Sequence, residues 1–184
     1  MRWPIAETSF LRPLAAADAT DLHSLIESNR ATLARWLPWA AAQTLEDTVG
    51  FIRRAEEQLA QNDGFQAAVV CDGDIAGVVG YVGVDWNNRS TSLGYWLGER
   101  YQGSGTMTGA VRLLVEHGFS EWDLNRIAIR AASGNLRSRA IPERLGFQQD
   151  GILREAELVG GRYLDSVVYS LLARDWRARS QGQE

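Results

Sequence analysis

Between residues 93 and 119 the chain reads LGYWLGERYQGSGTMTGAVRLLVEHGF. Arg100, Gly103 and Gly105, with Tyr101, Gln102, Ser104 and Thr106 around them, make a glycine-rich turn between a β-like run and an amphipathic helix. The helix carries Val111, Leu114, Val115 and Phe119 on one face. Glycine takes backbone angles closed to other residues, so successive amides can converge on one small space. At a helix start the first N–H groups lack partners and the positive end of the dipole adjoins them, which favours an anion. The chemistry expected of this turn is a phosphate cradle, and the plainer alternative is a strand-end turn with glycines for tightness alone. It is not a nucleoside-triphosphate loop, because no Gly-Lys-Ser/Thr ending is present. Nor is it a dinucleotide fingerprint, since its glycines are too close together and no acidic residue ends the next strand.

A cradle needs a strand before it, a helix after it and a second strand beside the first. Residues 92–97 supply the first strand and RIAIRA, residues 126–131, the second. Strand, helix and strand at that spacing form a βαβ unit, so the two strands are expected to run parallel. The crevice where such strands part is a favoured ligand site.

Upstream, FQAAVVC and IAGVVGYVGV flank Asp72-Gly73-Asp74, a hairpin signal that makes these runs and residues 92–97 an antiparallel meander. Residues 8–14, ending near Pro13, suit an outer strand. Downstream, FQQDGILREAELV and RYLDSVVYSLLARDW flank Gly160-Gly161 and close the sheet.

Among the helices, Asp18 is expected to cap a segment with Ala19, Leu22, Leu25 and Ile26 at helical spacing. Asn29 breaks or restarts that helix, and its second piece presents Leu33, Trp36 and Leu37 before Pro38 stops it. Thr44 and Asp47 form a capping box ahead of Val49, Ile52 and Leu59. Residues 135–145 read as another helix, with Asn135 as a candidate N-cap, Ser138 in its first turn, Ile141 and Leu145 inward and Gly146 as its stop. The fold expected is α+β, a mixed and mostly antiparallel twisted sheet of about seven strands with helices on both faces. It is read as a single domain over residues 1–184, with 180–184 as a flexible tail.

With 184 residues, 45% of them apolar, the chain can build one proper core. A net charge of −4 argues against non-specific nucleic-acid binding and suits an amine-bearing partner. One cysteine, Cys71, and two histidines, His23 and His117, give neither an internal disulfide nor zinc-ligand spacing, so no metal is expected. No apolar leader region and no run near the roughly 18 residues of a membrane helix occur, which predicts a soluble, cytoplasmic chain with no membrane partner. Seven tryptophans are many for this length, and a homo-oligomer, most simply a homodimer, is expected to use some of them.

Arg100-x-x-Gly103-x-Gly105 ahead of a helix is similar to the R/Q-x-x-G-x-G/A acyl-CoA pyrophosphate loop of the GNAT N-acetyltransferase superfamily. LNRIAIRAASGNLRSRAIPERLGFQQDG resembles the second cofactor segment of its RimJ/RimL branch, the ribosomal-protein N-terminal alanine acetyltransferases. WLPW at residues 36–39 resembles that branch too. Loop, N-x-x-S segment, LGF and WLPW in this order span nearly the whole chain.

The resemblance implies a GNAT fold whose parallel pair is splayed at the acyl-CoA site. Acetyl-CoA would be the co-substrate, its pantetheine arm along the fourth strand near Trp96, Leu97 and Gly98. Its pyrophosphate would take the amides of Tyr101, Gln102, Gly103, Ser104, Gly105 and Thr106. Arg100 is left between a phosphate contact and a salt bridge at the strand end. Asn135 matches the residue that holds the pantetheine arm, or serves as an N-cap, or both. Ser138 matches the serine that protonates the leaving thiolate, and no tyrosine lies between Tyr101 and Tyr163 to compete. Glu157 is the leading candidate for the base, through a held water, and Glu99 the second. The plain alternative for either glutamate is a solvated surface carboxylate. Trp36 and Trp39 are expected to wall the acceptor side, with a core or dimer contact an equal reading for Trp36.

The acceptor implied is a protein α-amine, that of a ribosomal protein in this branch. A small amine such as a polyamine or aminoglycoside, another acyl donor such as succinyl-CoA, and a non-catalytic CoA-binding protein are the alternatives. Cys71 falls inside an early strand and is expected to lie far from the site, which argues against a thiol relay and for direct transfer in a ternary complex. His23 and His117 read as structural.

Overall fold

The computed structural model describes residues 2–181. Along the chain lie β1 (Trp3–Ala6), β2 (Ser9–Pro13), α1 (Ala19–Leu33), α2 (Leu45–Ala60), β3 (Gln66–Cys71) and β4 (Asp74–Asp85). They are followed by β5 (Ser90–Leu97), α3 (Thr106–Ser120), β6 (Arg126–Ala132), α4 (Leu136–Leu145), β7 (Gln148–Val159), β8 (Arg162–Leu172) and α5 (Ala173–Gln181). One eight-stranded sheet takes the order β1-β2-β3-β4-β5-β6-β8-β7. Every adjacent pair is antiparallel except β5 and β6, the pair expected to be parallel.

The sheet is covered on both faces, as the period-2 alternation of its central strands requires. Val70 and Val78 face Leu22 and Ile26 of α1 and Ile52 of α2. Val69 and Val79 face the other way, into a core with Val111, Leu114 and Val115 of α3 and Ile141 and Leu145 of α4. Thr44 and Asp47 make the capping box expected of them at the start of α2.

Three expectations are corrected here. The sheet has eight strands, the added one being β1, a four-residue edge too short for its alternation to register. Residues 8–14 are therefore not the outer strand. Pro13 is tolerated in β2 because β1 reaches only from Ser9 to Leu11, so no neighbour asks for its missing N–H. Asn29 does not break α1, which runs on to Leu33. Its amide nitrogen donates at 2.8 Å to the Leu25 carbonyl four residues back, sharing the acceptor that the helix ladder uses without breaking the helix.

Asp18 does not cap α1 with its side chain. Its carboxylate takes two hydrogen bonds from Arg12, at 2.6 and 2.7 Å, and one from the Ala15 amide at 2.9 Å. Burial alone would push this carboxyl up, but the Arg12 and Ala15 hydrogen bonds outweigh it and hold it below the ordinary carboxylate range. The last strand ends at Leu172 and the chain continues as α5 through Gln181. Of the expected tail at 180–184, residues 180 and 181 belong to α5, and residues 182–184 lie outside those described.

The tryptophans find partners within the chain. Trp3, Trp86 and Trp122 join a ring cluster with Phe65, Tyr81 and His117, Trp39 meets Trp96, and Trp176 meets Phe119. Trp36 lies against Gly134, while Trp39 and Trp86 stay partly exposed.

Candidate active site

β5 and β6 pair only from Ser90↔Arg126 to Leu93↔Ile129. Beyond that point β5 stays with β4 as far as Gly77↔Leu97, while β6 stays with β8 as far as Ala132↔Ser166. The parallel strands therefore part, and the edge of β5 over residues 94–97 has no strand beside it. Gly77 fixes how close β4 and β5 come here, since a Cβ on it would stand 2.1 Å from the Trp96 carbonyl oxygen. Gly98 does the same for α1, its Cβ position being 2.9 Å from Leu25 Cδ1.

The β5 edge is less open at its end than expected. Gly98 donates to Ala76 O at 2.9 Å and accepts from Tyr101 N at 3.0 Å, and the Leu97 carbonyl accepts from Gln102 Nε2 at 3.0 Å. Trp96 turns toward α1 and packs with its apolar cluster. Of the three residues expected to meet a pantetheine arm, Gly98 has both backbone groups taken, which leaves residues 94–96 as the freer stretch.

Past Gly98 the chain makes a single 3₁₀ turn over Glu99–Tyr101. Tyr101 N donates to Gly98 O and Gln102 N to Glu99 O, so neither amide is free for an anion, contrary to the expectation. Gly103 and Gly105 follow at φ +88° and +83°, angles that L side chains resist. Gly105 is the N-cap of α3 and no side chain caps the helix. The first backbone bond into this helix is Gly109 N to Gly105 O, leaving the amides of residues 103–108 without a partner among the described residues. Nothing lies within 4 Å of a Cβ built on Gly103 or Gly105, so the space beyond them is open. Six unpartnered amides, an uncapped helix start and open space fit a pyrophosphate.

Cations from α4 flank this helix start. Arg137 donates to Gln102 Oε1 at 3.0 Å and Arg144 to Thr108 Oγ1 at 3.5 Å. Arg100 takes the salt-bridge alternative: it pairs with Asp74 at 2.7 Å and bonds the Tyr101 hydroxyl. Ser104 Oγ donates to Tyr101 O at 3.3 Å and lies 2.8 Å from Thr106 Oγ1.

Asn135 and Ser138 stand at the start of α4, where β6 delivers the chain. Asn135 is the N-cap, its Oδ1 accepting from Ser138 N at 3.2 Å. The capping role is therefore real, and it leaves the Asn135 Nδ2 donors over. Ser138 Oγ lies 3.5 Å from the Tyr95 hydroxyl, and that hydroxyl donates to the Ser138 carbonyl at 2.9 Å. Burial pushes the Tyr95 phenol well above its ordinary range, which keeps it protonated.

Trp39 meets Trp96 with ring centres 6.0 Å apart, and Trp36 packs on Gly134 in the β6–α4 connection. Both indoles thus border the parted strands from the α1 side. Ser133, in that same connection, donates its amide to Asp165 O at 2.9 Å. Asp165 also accepts from Glu155 N at 2.8 Å, at an irregularity between Leu153 and Glu157 in the β7–β8 pairing. Glu157 is exposed just past that bulge, opposite Leu164. Glu99 is exposed at the exit of β5, and its amide donates to Asn29 Oδ1 at 2.8 Å.

Cys71 is not far from the site. Its thiol is in hydrogen-bond contact with Thr106, the first residue of α3, and burial with Asp72 nearby pushes its pKa up. A protonated, buried thiol is a poor nucleophile, so the case against a relay rests on ionisation and not on distance. His117 sits among aromatic rings, where burial lowers its pKa, and His23 lines an open concavity between α1 and the start of α2 with Glu27 and Arg30.

Two residues went unread in the sequence, Arg137 and Tyr95, and Asn29 was read only as a helix break. The signal for Tyr95 was there, because period 2 puts it on the same face of β5 as buried Leu93 and Leu97 with a hydroxyl that must find a partner. Among the described residues no His, Cys, Asp and Glu cluster could hold a metal ion, and no helix is long and apolar enough to cross a membrane.

Comparison with known proteins agrees with this architecture. Residues 9–148 match the family described as Acetyltransferase (GNAT) domain. The Bacillus subtilis (strain 168) protein YdaF, provisionally named a ribosomal N-acetyltransferase, is 39% identical over 90% of this chain and 92% of its own. Spermidine N(1)-acetyltransferase of Escherichia coli (strain K12) is 26% identical over 89% of this chain and 86% of its own. The structure of RimL, a ribosomal L7/L12 α-N-protein acetyltransferase in complex with coenzyme A, superposes with a TM-score of 0.90 at 26% identity, covering 96% of this chain and 99% of the other. By that family match, and by a relative this similar over nearly its full length, the chain belongs to the GNAT family of N-acetyltransferases.

Proposed function

We propose that this enzyme acetylates the N-terminal α-amine of a protein, a ribosomal protein foremost, with acetyl-CoA as the donor. The observation that carries the donor is the parting of β5 from β6 ahead of an uncapped α3, with the amides of residues 103–108 at its start unpartnered among the described residues. The RimL neighbour is a complex with coenzyme A, and RimL and YdaF carry names of ribosomal substrates, which supports the acceptor.

Acetyl-CoA brings the acetyl group as an activated thioester. The amides of residues 103–108 bind its pyrophosphate, with Arg137 and Arg144 adding positive charge beside it. The open edge of β5 and the Asn135 Nδ2 donors align the pantetheine arm. Ser138 Oγ–H donates its proton to the departing sulfur as the amine nitrogen takes the acetyl carbon. The amine must be uncharged to attack, and an α-amine titrates at about 7.7–8.0, so only modest help from a base is required. Glu157 is the leading base, through a held water, and Glu99 the second. Trp36 and Trp39 exclude water from the acceptor side and set its width.

The test is release of free thiol from acetyl-CoA over a panel of N-terminal peptides, spermidine and an aminoglycoside. Turnover with peptides bearing a free α-amine, absent when that amine is blocked, is the expected result. Turnover on spermidine alone would move the acceptor to small amines, and CoA binding without turnover on any amine would make the chain a binding protein.

A further inference from the structure

We infer that Tyr95 is a positioning residue for the reaction, acting through Ser138, and that Pro142 is what gives it its grip. This rests on the reading of Ser138 as the acid.

In an uninterrupted helix the carbonyl of Ser138 would accept from the amide of residue 142, four positions on. That residue is Pro142, which has no N–H and lies inside α4. The Ser138 carbonyl is thus released from the helix ladder, and the Tyr95 hydroxyl donates to it at 2.9 Å from the strand across the cleft. A phenol has a single proton, and this bond commits it. Toward the neighbouring Ser138 Oγ, 3.5 Å away, Tyr95 can then only accept. At 3.5 Å the two hydroxyls are beyond the length of a normal O–H···O bond, and in any bond they make as they approach, serine is the donor.

Tyr95 does not itself supply the proton, because its buried phenol would have to ionise in apolar surroundings. Its part is to hold the first turn of α4 at a set distance from the splayed end of β5, and to keep the serine hydroxyl in one rotamer. Ser138 and the β5 edge belong to different segments, and no other side-chain hydrogen bond between β5 and α4 is present among the described residues. A shift of well under 1 Å in a group that must meet the sulfur is enough to slow transfer.

The experiment is a double-mutant cycle of Tyr95→Phe and Ser138→Ala on the full chain. Acetyl-CoA is the donor and a peptide with N-terminal alanine the acceptor, spermidine replacing it if only small amines turn over. Tyr95→Phe keeps the ring in the core and removes one hydroxyl. The expected result is a fall in kcat of about tenfold for Tyr95→Phe and at least as much for Ser138→Ala, with KM for acetyl-CoA within about twofold of wild type in both. The double variant is expected to be no slower than Ser138→Ala alone.

A Tyr95→Phe enzyme with wild-type kcat overturns the inference and leaves the Ser138 reading standing. So does a double variant slower by the product of the two single effects, which would mean that Tyr95 acts by another route or through stability alone. Wild-type kcat in Ser138→Ala overturns the acid assignment and the Tyr95 inference together, while the acyltransferase reading survives on the turnover itself.

Discussion

The side-chain oxygen of Asn29 accepts the backbone amide of Glu99 at 2.8 Å, while its nitrogen donates to Leu25 O within α1. One side chain thereby ties α1 to the exit of β5, where the chain turns toward the unpartnered amides. The two residues are 70 positions apart, and Gly98 lets the helix approach this closely.

Asn29→Ala is expected to lose about 0.5–1.5 kcal/mol of stability, the net worth of one hydrogen bond, because the Glu99 amide is exposed and water can take the place of its acceptor. Affinity for CoA should fall several-fold as the turn loosens. Denaturant unfolding and titration calorimetry check both, and an unchanged CoA affinity would uncouple α1 from the cradle.

Gly103→Val is expected to abolish measurable CoA binding while leaving the fold intact. The reason is backbone angle and not room, since the space around a Cβ at φ +88° is open. Left-handed backbone costs an L residue about 1–2 kcal/mol, and a β-branched one resists it most. Relaxation to negative φ would turn the neighbouring amides away from the anion. Calorimetry with CoA, beside a circular dichroism spectrum matching wild type, is the measurement.

Glu157→Gln and Glu99→Gln separate the two candidate bases. Glu157 follows the bulge where Asp165 fastens the β7–β8 hairpin to Ser133 in the connection ahead of Asn135, and it is the base proposed first. Glu157→Gln is expected to lower kcat/KM about tenfold, and Glu99→Gln less than about twofold. The reverse order in steady-state kinetics would exchange their roles.

Asp18→Asn should destabilise the fold by about 1–3 kcal/mol at pH 7, the low end being set by solvent around the part-exposed Arg12. The carboxyl is held below its ordinary value, so its contribution is fully present above the unfolded-state pKa of about 3.9 and is lost as pH falls through the lower folded value. Wild type and variant should therefore differ most near neutrality and converge in acid. Urea midpoints measured from pH 7 down to about pH 2 test this, and a gap that widens on acidification would refute the assignment.

The hairpin at Asp72-Gly73, the parallel β5–β6 pair, the Thr44 capping box and the left-handed glycines of the cradle were legible in the residues. Each is set by local backbone preference or by the alternation of apolar side chains along one element. β1 escaped because four residues carry too little pattern, and Asn29 was misjudged because an asparagine inside a helix weakens it unless something distant uses its side chain.

Which amides stay free, that Arg100 goes to Asp74, that Cys71 touches Thr106 and that Tyr95 replaces the donor Pro142 lacks were decided only by the tertiary structure. All four depend on which groups from separate segments reach the same few ångströms of space. A hydrogen-bonding group buried there takes whatever partner packing brings to it, and no spacing along the chain specifies that partner.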